Sequence, residues 1–365
     1  MLKHGFAKCG TCHTDPSGGE TLGHMGRLQA ERLMVMPHGG TGQTSKLLYG
    51  VSEPADVRLG GSLRFMSMYT LATENVEASF DSFPMQADVY ASGDFGLIRA
   101  GASLGYADVP PNSPHLRPAQ VTRGADGPQL ISRWHWVGLE LGKQSLLRAG
   151  RLNLPFGIRV PEHVLWARDF TKTDRESDQQ HGVAFSYHGG PWRTELMFVV
   201  GNYQMSPDRY RQRGYSGFFE HLLSPRLALG ASSQILQAQA DRFLGRDGRT
   251  LRHAHGLSLR YSPSTSWAFL AEADLLKTTT REPGVTGFLM ADYEPTQGLH
   301  FALIGELGEQ GKPEQGAASG GSGEPLLGAW ASINWFFYSH WDLRIDFVLR
   351  DESPERLQAQ LHFYF

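Results

Sequence analysis

The 365-residue sequence lacks the features that identify several common classes of protein. Nowhere does it reach the roughly 18 consecutive apolar residues of a transmembrane helix. Its 34 basic and 37 acidic residues nearly balance, so it has no cationic excess of the kind that nucleic-acid-binding proteins carry. Yet 40% of the residues are hydrophobic, which is too many for a disordered chain. We therefore expect a folded protein that binds no nucleic acid and has no helical membrane span.

Apolar and polar residues alternate along much of the chain, most regularly over residues 355–365. One face of that segment carries Leu357, Ala359, Leu361, Phe363 and Phe365. Alternation of this kind places the two sets on opposite sides of a β-strand. The terminal Phe365 resembles the aromatic residue that ends the last strand of bacterial outer-membrane proteins. Similar segments recur back to residue 57 and predict about 16 strands, although a soluble β-sandwich would alternate in the same way.

The lengths of the connections separate these two architectures. Short turns, such as 188–191 and 339–340, are expected to alternate with long links, such as 154–180 and 240–250. Short turns on one rim and long loops on the other are typical of an outer-membrane barrel. Aromatic residues on the apolar faces near the short turns would form a girdle at the membrane interface. They are Tyr187, Trp192, Tyr261, Trp267, Tyr293, Phe337, Trp341 and Phe365.

These patterns predict an all-β protein, a transmembrane antiparallel β-barrel over residues 51–365 in contact with outer-membrane lipid. Residues 1–50 would form a small N-terminal segment with a short helix over 27–36. The predicted inner face carries both signs of charge in similar number, so strong ion selectivity does not follow. A barrel of this size encloses an aqueous channel unless something fills it. Residues 1–50 and the links 108–128 and 154–180 are candidates, and Arg175, Glu176 and Asp178 are expected to be solvated.

Cysteine is scarce, and its two residues stand together with a histidine in Cys9-Gly10-Thr11-Cys12-His13. Two thiols at this spacing can each add to a vinyl group of one haem, and His13 can then ligate the iron. A redox disulfide or half of a zinc site is the alternative. The lack of a second cysteine pair and of a strand before Cys9 disfavours both. The sequence therefore predicts one covalent haem c on Cys9 and Cys12, with His13 as a metal ligand.

The second axial ligand of the predicted haem is not determined by this spacing. His24 lies in a turn bracketed by glycines, far enough from His13 to reach the other side of the iron, and we predict it as the second metal ligand. A methionine in that position would raise the reduction potential relative to a second histidine. The other candidates in the segment are His4, Met25, Met34, Met36 and His38. A residue of the barrel wall or of a partner protein is a further candidate for this second ligand.

The N-terminal sequence resembles a known family. Phe6-Ala-Lys-Cys9-Gly-Thr-Cys12-His13-Thr-Asp-Pro-Ser-Gly-Gly19, followed by Gly26-Arg27, is similar to the opening of proteobacterial porin-like outer-membrane proteins with an N-terminal mono-haem c segment. The resemblance covers roughly residues 1–30, and the remainder is similar in architecture and in its last residue. It implies electron transfer at the outer membrane. His24-Met25 departs from the pattern expected before Gly26-Arg27, so no second ligand is carried over.

The predicted function is therefore non-enzymatic electron transfer, with the haem at or in the periplasmic mouth of the barrel. One haem is small beside a hydrocarbon core about 30 Å thick, so a periplasmic or inserted partner cytochrome is expected. The alternative is a diffusion porin whose haem segment is a structural plug or gate. An enzyme acting at a five-coordinate haem would need a substrate pocket, for which no residues are evident.

The predicted location is the outer membrane, with the N-terminal segment and the C-terminus on the periplasmic side. Residues near Met1 show no secretory signal, because Lys3 and His4 interrupt a short stretch without an apolar core. Haem c is attached outside the inner membrane, so we nevertheless expect an exported precursor.

Overall fold

A computed structural model describes residues 2–6, 8–19, 21–42, 47–49, 51–54, 56–74, 76–109, 116–122, 127–162, 164–204, 211–241, 246–313, 323–351 and 353–365. No helix among these residues is long and apolar enough to cross a membrane. The two α-helices within these ranges are short, α1 (His24–Gln29) and α2 (Trp166–Thr171). The described part also contains 3-10 turns at Leu2–His4, Cys9–Thr11 and Arg117–Ala119.

The predicted N-terminal helix exists but begins and ends earlier than residues 27–36. It starts at His24, and the first helical hydrogen bond joins the Arg27 amide to the Gly23 carbonyl at 3.1 Å. A π-helical turn, Ala30–Met34, follows directly. The helix stops there because the Met36 amide donates to the Phe336 carbonyl of the barrel at 3.0 Å, a contact that alternation and periodicity cannot reveal.

All the strands belong to one antiparallel sheet. The described residues form β1 (Val57–Thr70), β2 (Ser79–Phe95), β3 (Ile98–Val109), β4 (Gly127–Ile131), β5 (His135–Glu140), β6 (Ser145–Leu152), β7 (Gln180–Tyr187), β8 (Trp192–Gly201), β9 (Arg213–Ser224), β10 (Leu227–Asp241), β11 (Arg246–Tyr261), β12 (Trp267–Thr278), β13 (Arg281–Thr296), β14 (Leu299–Glu309), β15 (Leu326–Tyr338), β16 (Trp341–Arg350) and β17 (Ser353–Tyr364). Apart from β4 and β5, which both pair with β3 and not with each other, each strand pairs with its neighbours in the chain, and β1 also pairs with β17. The sheet is therefore a closed barrel.

The barrel has 16 strand positions, as predicted, although the described residues contain 17 strands. The difference arises because β4 and β5 both pair with β3 and share one position. Residues 132–134 interrupt that position, where the Ser103 amide donates to the Trp134 carbonyl at 2.9 Å. A local irregularity of this kind bends a strand without removing it from the barrel.

The outer face is apolar and the inner face is polar, which inverts the pattern of a soluble protein. Leu257 is 72% exposed, Leu303 66% and Leu275 64%, whereas the inward Arg148 and Glu220 are each 1% exposed. Exposed apolar area in water is unfavourable by roughly 25 cal/mol per Å², a cost that contact with hydrocarbon removes. The exposed leucines are therefore suited to face lipid, as in outer-membrane barrels.

One rim carries only short connections, as predicted, and the predicted turns at 188–191 and 339–340 separate β7 from β8 and β15 from β16. Aromatic residues flank this short-turn rim, where Trp267 stacks on Tyr293 with ring centroids 4.6 Å apart. The prediction that short turns alternate strictly with long links is wrong, because β12 and β13 are joined by residues 279–280 alone. The predicted 240–250 link is also wrong, since β10 and β11 continue to pair as far as Asp241 and Arg246.

The link over residues 153–179, called here the inner loop, folds into the barrel and carries α2. Its apolar residues pack against inward residues of the wall, for example Leu165 with Ile304 and Trp330. Asp178, expected to be solvated, is only 3% exposed, because the inner loop lies within the lumen and not on the rim. The inner loop thus occupies space that would otherwise be an aqueous channel.

Candidate functional site

The described residues of the N-terminal segment attach to the short-turn rim through two lysines. The Lys3 ammonium group lies 3.2 Å from Glu294 at the end of β13. The Lys8 ammonium group donates to the carbonyls of His188 at 3.1 Å and Gly190 at 2.6 Å. Both contacts involve residues at or beside short turns, so the segment lies at this end of the barrel.

A buried ion-pair network fixes the segment to the inner wall. Arg148 of β6 donates from Nη1 to Asp15 and from Nη2 to Glu195 of β8, each at 2.5 Å. Arg159 of the inner loop donates to the Gly18 carbonyl. Burial alone would raise the pKa of Asp15, but Arg148 and Arg159 outweigh it and hold that pKa below its usual value. The network joins the segment, the wall and the inner loop.

The two cysteines lie at either end of a tight turn. The amides of Cys12 and His13 both donate to the Cys9 carbonyl at 3.0 Å, which forms the 3-10 turn. Both thiols are free, and burial raises the pKa of the Cys12 thiol. Arg193 Nη1 of β8 lies 2.7 Å from Cys9 Sγ and holds this sulfur against the barrel wall.

The His13 ring is neutral and oriented. Its Nδ1 donates to the Gly19 carbonyl, which leaves Nε2 as the free nitrogen. Burial lowers the pKa of His13 to about 4, so the ring carries no charge at neutral pH. A neutral imidazole with one N–H bound to a backbone carbonyl is the usual form of a metal-ligating histidine.

Gly26 and Arg27, which belong to the N-terminal sequence that resembles a known family, have a clear structural role. Gly26 packs so closely on the Cys12 carbonyl that a Cβ there would overlap it. Arg27 forms an ion pair with Glu53 and donates to the Leu59 carbonyl of β1. The glycine thus brings α1 against the cysteine turn, and the arginine attaches α1 to the first strand.

The predicted second ligand, His24, is the first residue of α1 and is exposed. It stays a prediction, because no contact of its ring tests the assignment. Among the other candidates, Met25 is 40% exposed and His38 is also exposed. The Met36 sulfur accepts a hydrogen bond from Trp335 Nε1 of β15 at 2.8 Å. Burial lowers the pKa of His4, which lies beside Glu294 on the rim.

Two cavities adjoin the segment. One, with about 410 Å³ of empty space, lies between α1 and the β15–β16 turn and is lined by Leu22, Arg27 and Tyr364. The other, with about 320 Å³, lies between Ser17, the inner loop and the β7–β8 turn. Both figures include space that is open to solvent, and the room that a water-sized sphere can enter is only about 30 Å³ in the first and about 20 Å³ in the second. This is far below the range of about 300–1,000 Å³ for ligand sites. We name the second the Ser17 cavity, and sequence patterns gave no sign of it because it joins three distant segments.

The donor set of the cysteine turn fits a haem c. It offers two free thiols at the required spacing and a neutral imidazole whose outer nitrogen is already oriented. Within the described ranges, no group of three or more His, Cys, Asp or Glu side chains could hold a metal ion. Haem iron takes its equatorial nitrogens from the porphyrin and needs only axial protein ligands.

The fold defines a class of protein, the outer-membrane porin-type β-barrel. No family model matches the sequence, and no curated protein is similar to it. Solved porin-type barrels match over most of their length. The sequence identities of those reported below are 10–13%, so they show the fold alone.

Three of these structures illustrate the likeness. OmpT of Vibrio cholerae has a TM-score of 0.59 and 10% identity, covering 86% of this chain and 99% of that one. Salmonella typhi OmpF in complex with daunomycin has a TM-score of 0.62 and 11% identity, covering 85% and 97%. The anion-selective porin from Comamonas acidovorans has a TM-score of 0.57 and 13% identity, covering 85% and 99%.

Proposed function

We propose that this protein is an outer-membrane porin-like cytochrome that carries one haem c and takes part in electron transfer. The main support is the position of the Cys9–His13 sequence at the short-turn end of a closed porin-type barrel. There the His13 ring is neutral, and its Nδ1 is bound to the Gly19 carbonyl. A turn of this kind serves no evident purpose in a simple diffusion pore.

Different residues of the chain attach the cofactor, ligate its iron and hold the N-terminal segment in place. Cys9 and Cys12 attach it, and His13 Nε2 ligates its iron. Arg193 steadies the sulfur of Cys9, while Asp15 and Arg148 fix the segment to the wall. When bound, the haem supplies an iron centre that accepts and releases one electron. No enzymatic activity is part of this function.

The proposed location is the outer membrane, with the short-turn rim towards the periplasm. Apolar residues cover the outer face, and similar solved structures are outer-membrane proteins. The described N-terminal residues contact the short-turn rim, and Phe365 pairs with Gly61 at the same end. In this orientation both lie on the periplasmic side, where haem c is attached.

A partner cytochrome follows from the dimensions of the barrel. The cysteine turn lies at one end of a structure that spans a hydrocarbon core about 30 Å thick. Beyond it the inner loop fills part of the lumen, with Trp166 only 8% exposed against the wall. A single haem at the mouth can exchange electrons with a periplasmic partner, and a second carrier has to complete the path.

A diffusion porin with a plug is the second candidate. It is favoured by the buried Arg148–Asp15 contact, which holds the N-terminal segment in the mouth of the barrel. Under this alternative the thiols and His13 serve the structure of the plug. Conductance in planar lipid bilayers tests for transport, because an open pore passes a large and stable current, whereas a plugged or electron-conducting barrel does not.

The deciding experiment is a pyridine haemochrome spectrum of the detergent-solubilised protein, expressed with the haem c maturation machinery. The wild type is expected to show a c-type spectrum, and a Cys9→Ala/Cys12→Ala variant should lose it. A folded wild-type barrel without haem would overturn the electron-transfer function and leave the porin.

A further inference from the structure

One part of the outer wall carries polar side chains at a depth where several other strands are apolar. On β8, β15 and β16, the outward residue eight positions from the tryptophan at the short-turn rim is still apolar and exposed. These residues are Val200 beyond Trp192, Leu327 before Trp335 and Leu349 beyond Trp341. On β11 the outward residues six and eight positions before Tyr261 are instead His255 and His253. The apolar band therefore ends closer to the short-turn rim on β11.

Six residues of β9–β12 form this polar region, which we call the outer-wall patch. They are Tyr215, Ser233, Arg249, His253, His255 and Lys277. Ser233 of β10 lies opposite His255 of β11 in the strand register. His253 in turn lies opposite Lys277 of β12, and the rings of His253 and His255 have centroids 6.1 Å apart. The patch thus unites hydroxyl, imidazole and cationic groups on one face of the sheet.

A chain of hydrogen bonds orients His255. The Tyr215 hydroxyl group lies 2.9 Å from Ser233 Oγ, which lies 2.9 Å from His255 Nδ1. Because a phenol is the stronger donor, Tyr215 donates to Ser233, and Ser233 donates to Nδ1. The neutral ring then carries its proton on Nε2, which has no partner among the residues that the structure describes. His255 therefore offers an N–H donor, and a matching ligand needs an acceptor oxygen.

The outer-wall patch carries positive charge. Lys277 is partly buried and Arg249 is exposed. Among the outward positions of β9–β12 whose side chains the structure describes, none is acidic. Lys277 donates to the Arg281 carbonyl, and Arg249 donates to the Gln237 side chain at 2.9 Å. Both of these contacts are to uncharged groups and leave the positive charges in place, so the patch is complementary to an anion.

The depth of the outer-wall patch fits the headgroup level of a membrane. Eight residues of a strand span about 26 Å, which is about 20 Å of height at a strand tilt of about 40°. His253 therefore lies near the far edge of an apolar band about 25 Å tall that begins at the level of Tyr261. With the short-turn rim towards the periplasm, this edge is in the outer leaflet. Ionisable groups are unfavourable in hydrocarbon, whereas at the headgroup level they bind lipid phosphates.

We infer that the outer-wall patch binds a phosphate group of an outer-leaflet lipid, whose acyl chains lie on the apolar wall beside it. The Nε2–H donor of His255 and the two cations suit phosphate oxygens, which accept several charge-assisted hydrogen bonds. Leu257, the next outward residue of β11, is 72% exposed and offers an apolar surface to the chains. This inference rests on the proposed location and orientation of the barrel, and it does not require a haem.

The test measures the binding of lipid A, a phosphorylated glycolipid, to the detergent-solubilised barrel by native mass spectrometry. Dephosphorylated lipid A and inorganic phosphate are the comparison probes. Lipid A should bind to the wild type, and removal of its phosphates should weaken binding by about tenfold or more. Inorganic phosphate at the same concentration should not displace lipid A, because it lacks the acyl chains.

Two substitutions in the outer-wall patch should weaken the binding of lipid A. His255→Leu removes the donor, with an expected loss of about tenfold, and Lys277→Gln removes a charge, with an expected loss of about fivefold. The matched controls are His221→Leu, at an outward histidine beside Trp192 on the opposite rim, and Lys143→Gln, in the exposed β5–β6 turn. Both controls should bind lipid A as the wild type does.

A stability measurement distinguishes a lost ligand from a damaged barrel. Leucine suits a lipid-facing position, so His255→Leu should unfold in urea no more easily than the wild type does. Gel mobility before and after heating shows whether each barrel has folded. A merely structural role of His255 would lower the stability of this variant and leave its affinity for lipid A unchanged.

Three outcomes would overturn the inference. The first is equal binding of lipid A by the wild type and by His255→Leu, and the second is equal binding of lipid A with and without its phosphates. The third is a wild-type dimer that His255→Leu abolishes, which would assign the outer-wall patch to contacts between two copies of this chain. None of these results bears on the haem, and a wild type without covalent haem would overturn electron transfer but leave the lipid site.

Discussion

Arg148 of the barrel wall is bound to Asp15 of the N-terminal segment, with 2.5 Å between Nη1 and Oδ1. The guanidinium also pairs with Glu195, and the side chain of Arg148 is fully buried. One cation therefore joins the segment that carries the cysteines to the inside of the barrel. Pairs of this kind constrain geometry more than they add stability, but breaking one leaves a buried charge.

Arg148→Met should consequently destabilise the protein. The substitution leaves the carboxylates of Asp15 and Glu195 buried without their cation, and we expect a loss of about 3–5 kcal/mol in the free energy of unfolding. Urea unfolding in detergent measures this value. The control is Arg226→Met in an exposed turn, where a change within about 0.5 kcal/mol is expected. Equal values for the two variants would show that the network does not hold the segment.

The closed barrel could be predicted from the sequence because the pattern that indicates each strand lies within a short stretch of residues. Alternation with a period of two depends only on neighbouring residues, and it located strands such as β15 and β16 with their short turn at 339–340. The C-terminal aromatic Phe365 is local evidence of the same kind. Strand pairing in a meander then follows, because each strand pairs with the next in the chain, except at the one position that β4 and β5 share.

The inside of the barrel could not be predicted in this way. The burial of Asp178 depends on where the whole inner loop turns, and no periodic signal describes that path. The Ser17 cavity unites residues from the segment, the inner loop and the β7–β8 turn, and those of the segment lie more than a hundred positions before the other two in sequence. The cysteine turn could be recognised from the sequence because its two thiols and its imidazole are contiguous in the chain.

Gly26→Ala should loosen α1 from the cysteine turn. The new Cβ would overlap the Cys12 carbonyl oxygen, which is backbone and cannot move independently. Overpacking of this kind costs about 1–3 kcal/mol. Limited proteolysis of the N-terminal segment should become faster, and the yield of covalent haem should fall. Gly305→Ala is the matched control, because its Cβ meets nothing within 4 Å, and it should match the wild type in both measurements.

His340 should make stability depend on pH. Burial lowers its pKa, opposed by its bond to the Tyr364 backbone and by Glu31, so its folded pKa is below its unfolded value of about 6.5. The unfolded state therefore binds more protons as pH falls below that value. The stabilisation is fully present above pH ~6.5 and is lost as pH falls towards the folded pKa.

His340→Asn removes this titration and should flatten the stability profile between neutral pH and about pH 5. Asparagine is chosen because position 340 has a φ of 71°, which asparagine tolerates better than most residues. Unfolding at a series of pH values measures the slope for both proteins. Identical slopes would mean that His340 has the same proton affinity in the folded and unfolded states.

Gly157→Val should open the lumen by displacing the inner loop. Gly157 has a φ of 61°, and a Cβ there would overlap Glu272 and Arg168, two residues that form a buried ion pair. Valine adds both steric overlap and backbone strain, so the inner loop should leave the wall. Because the loop fills part of the channel, single-channel conductance in planar bilayers should rise well above that of the wild type.

Gly96→Val separates the effect of overlap from that of backbone strain. Gly96 has a φ of 71° in the β2–β3 turn, but a Cβ there meets nothing within 4 Å. This variant should suffer the same backbone strain and keep the low conductance of the wild type. A large conductance in the wild type itself would show that the inner loop and the N-terminal segment do not close the barrel, and diffusion through the pore would then become the better account.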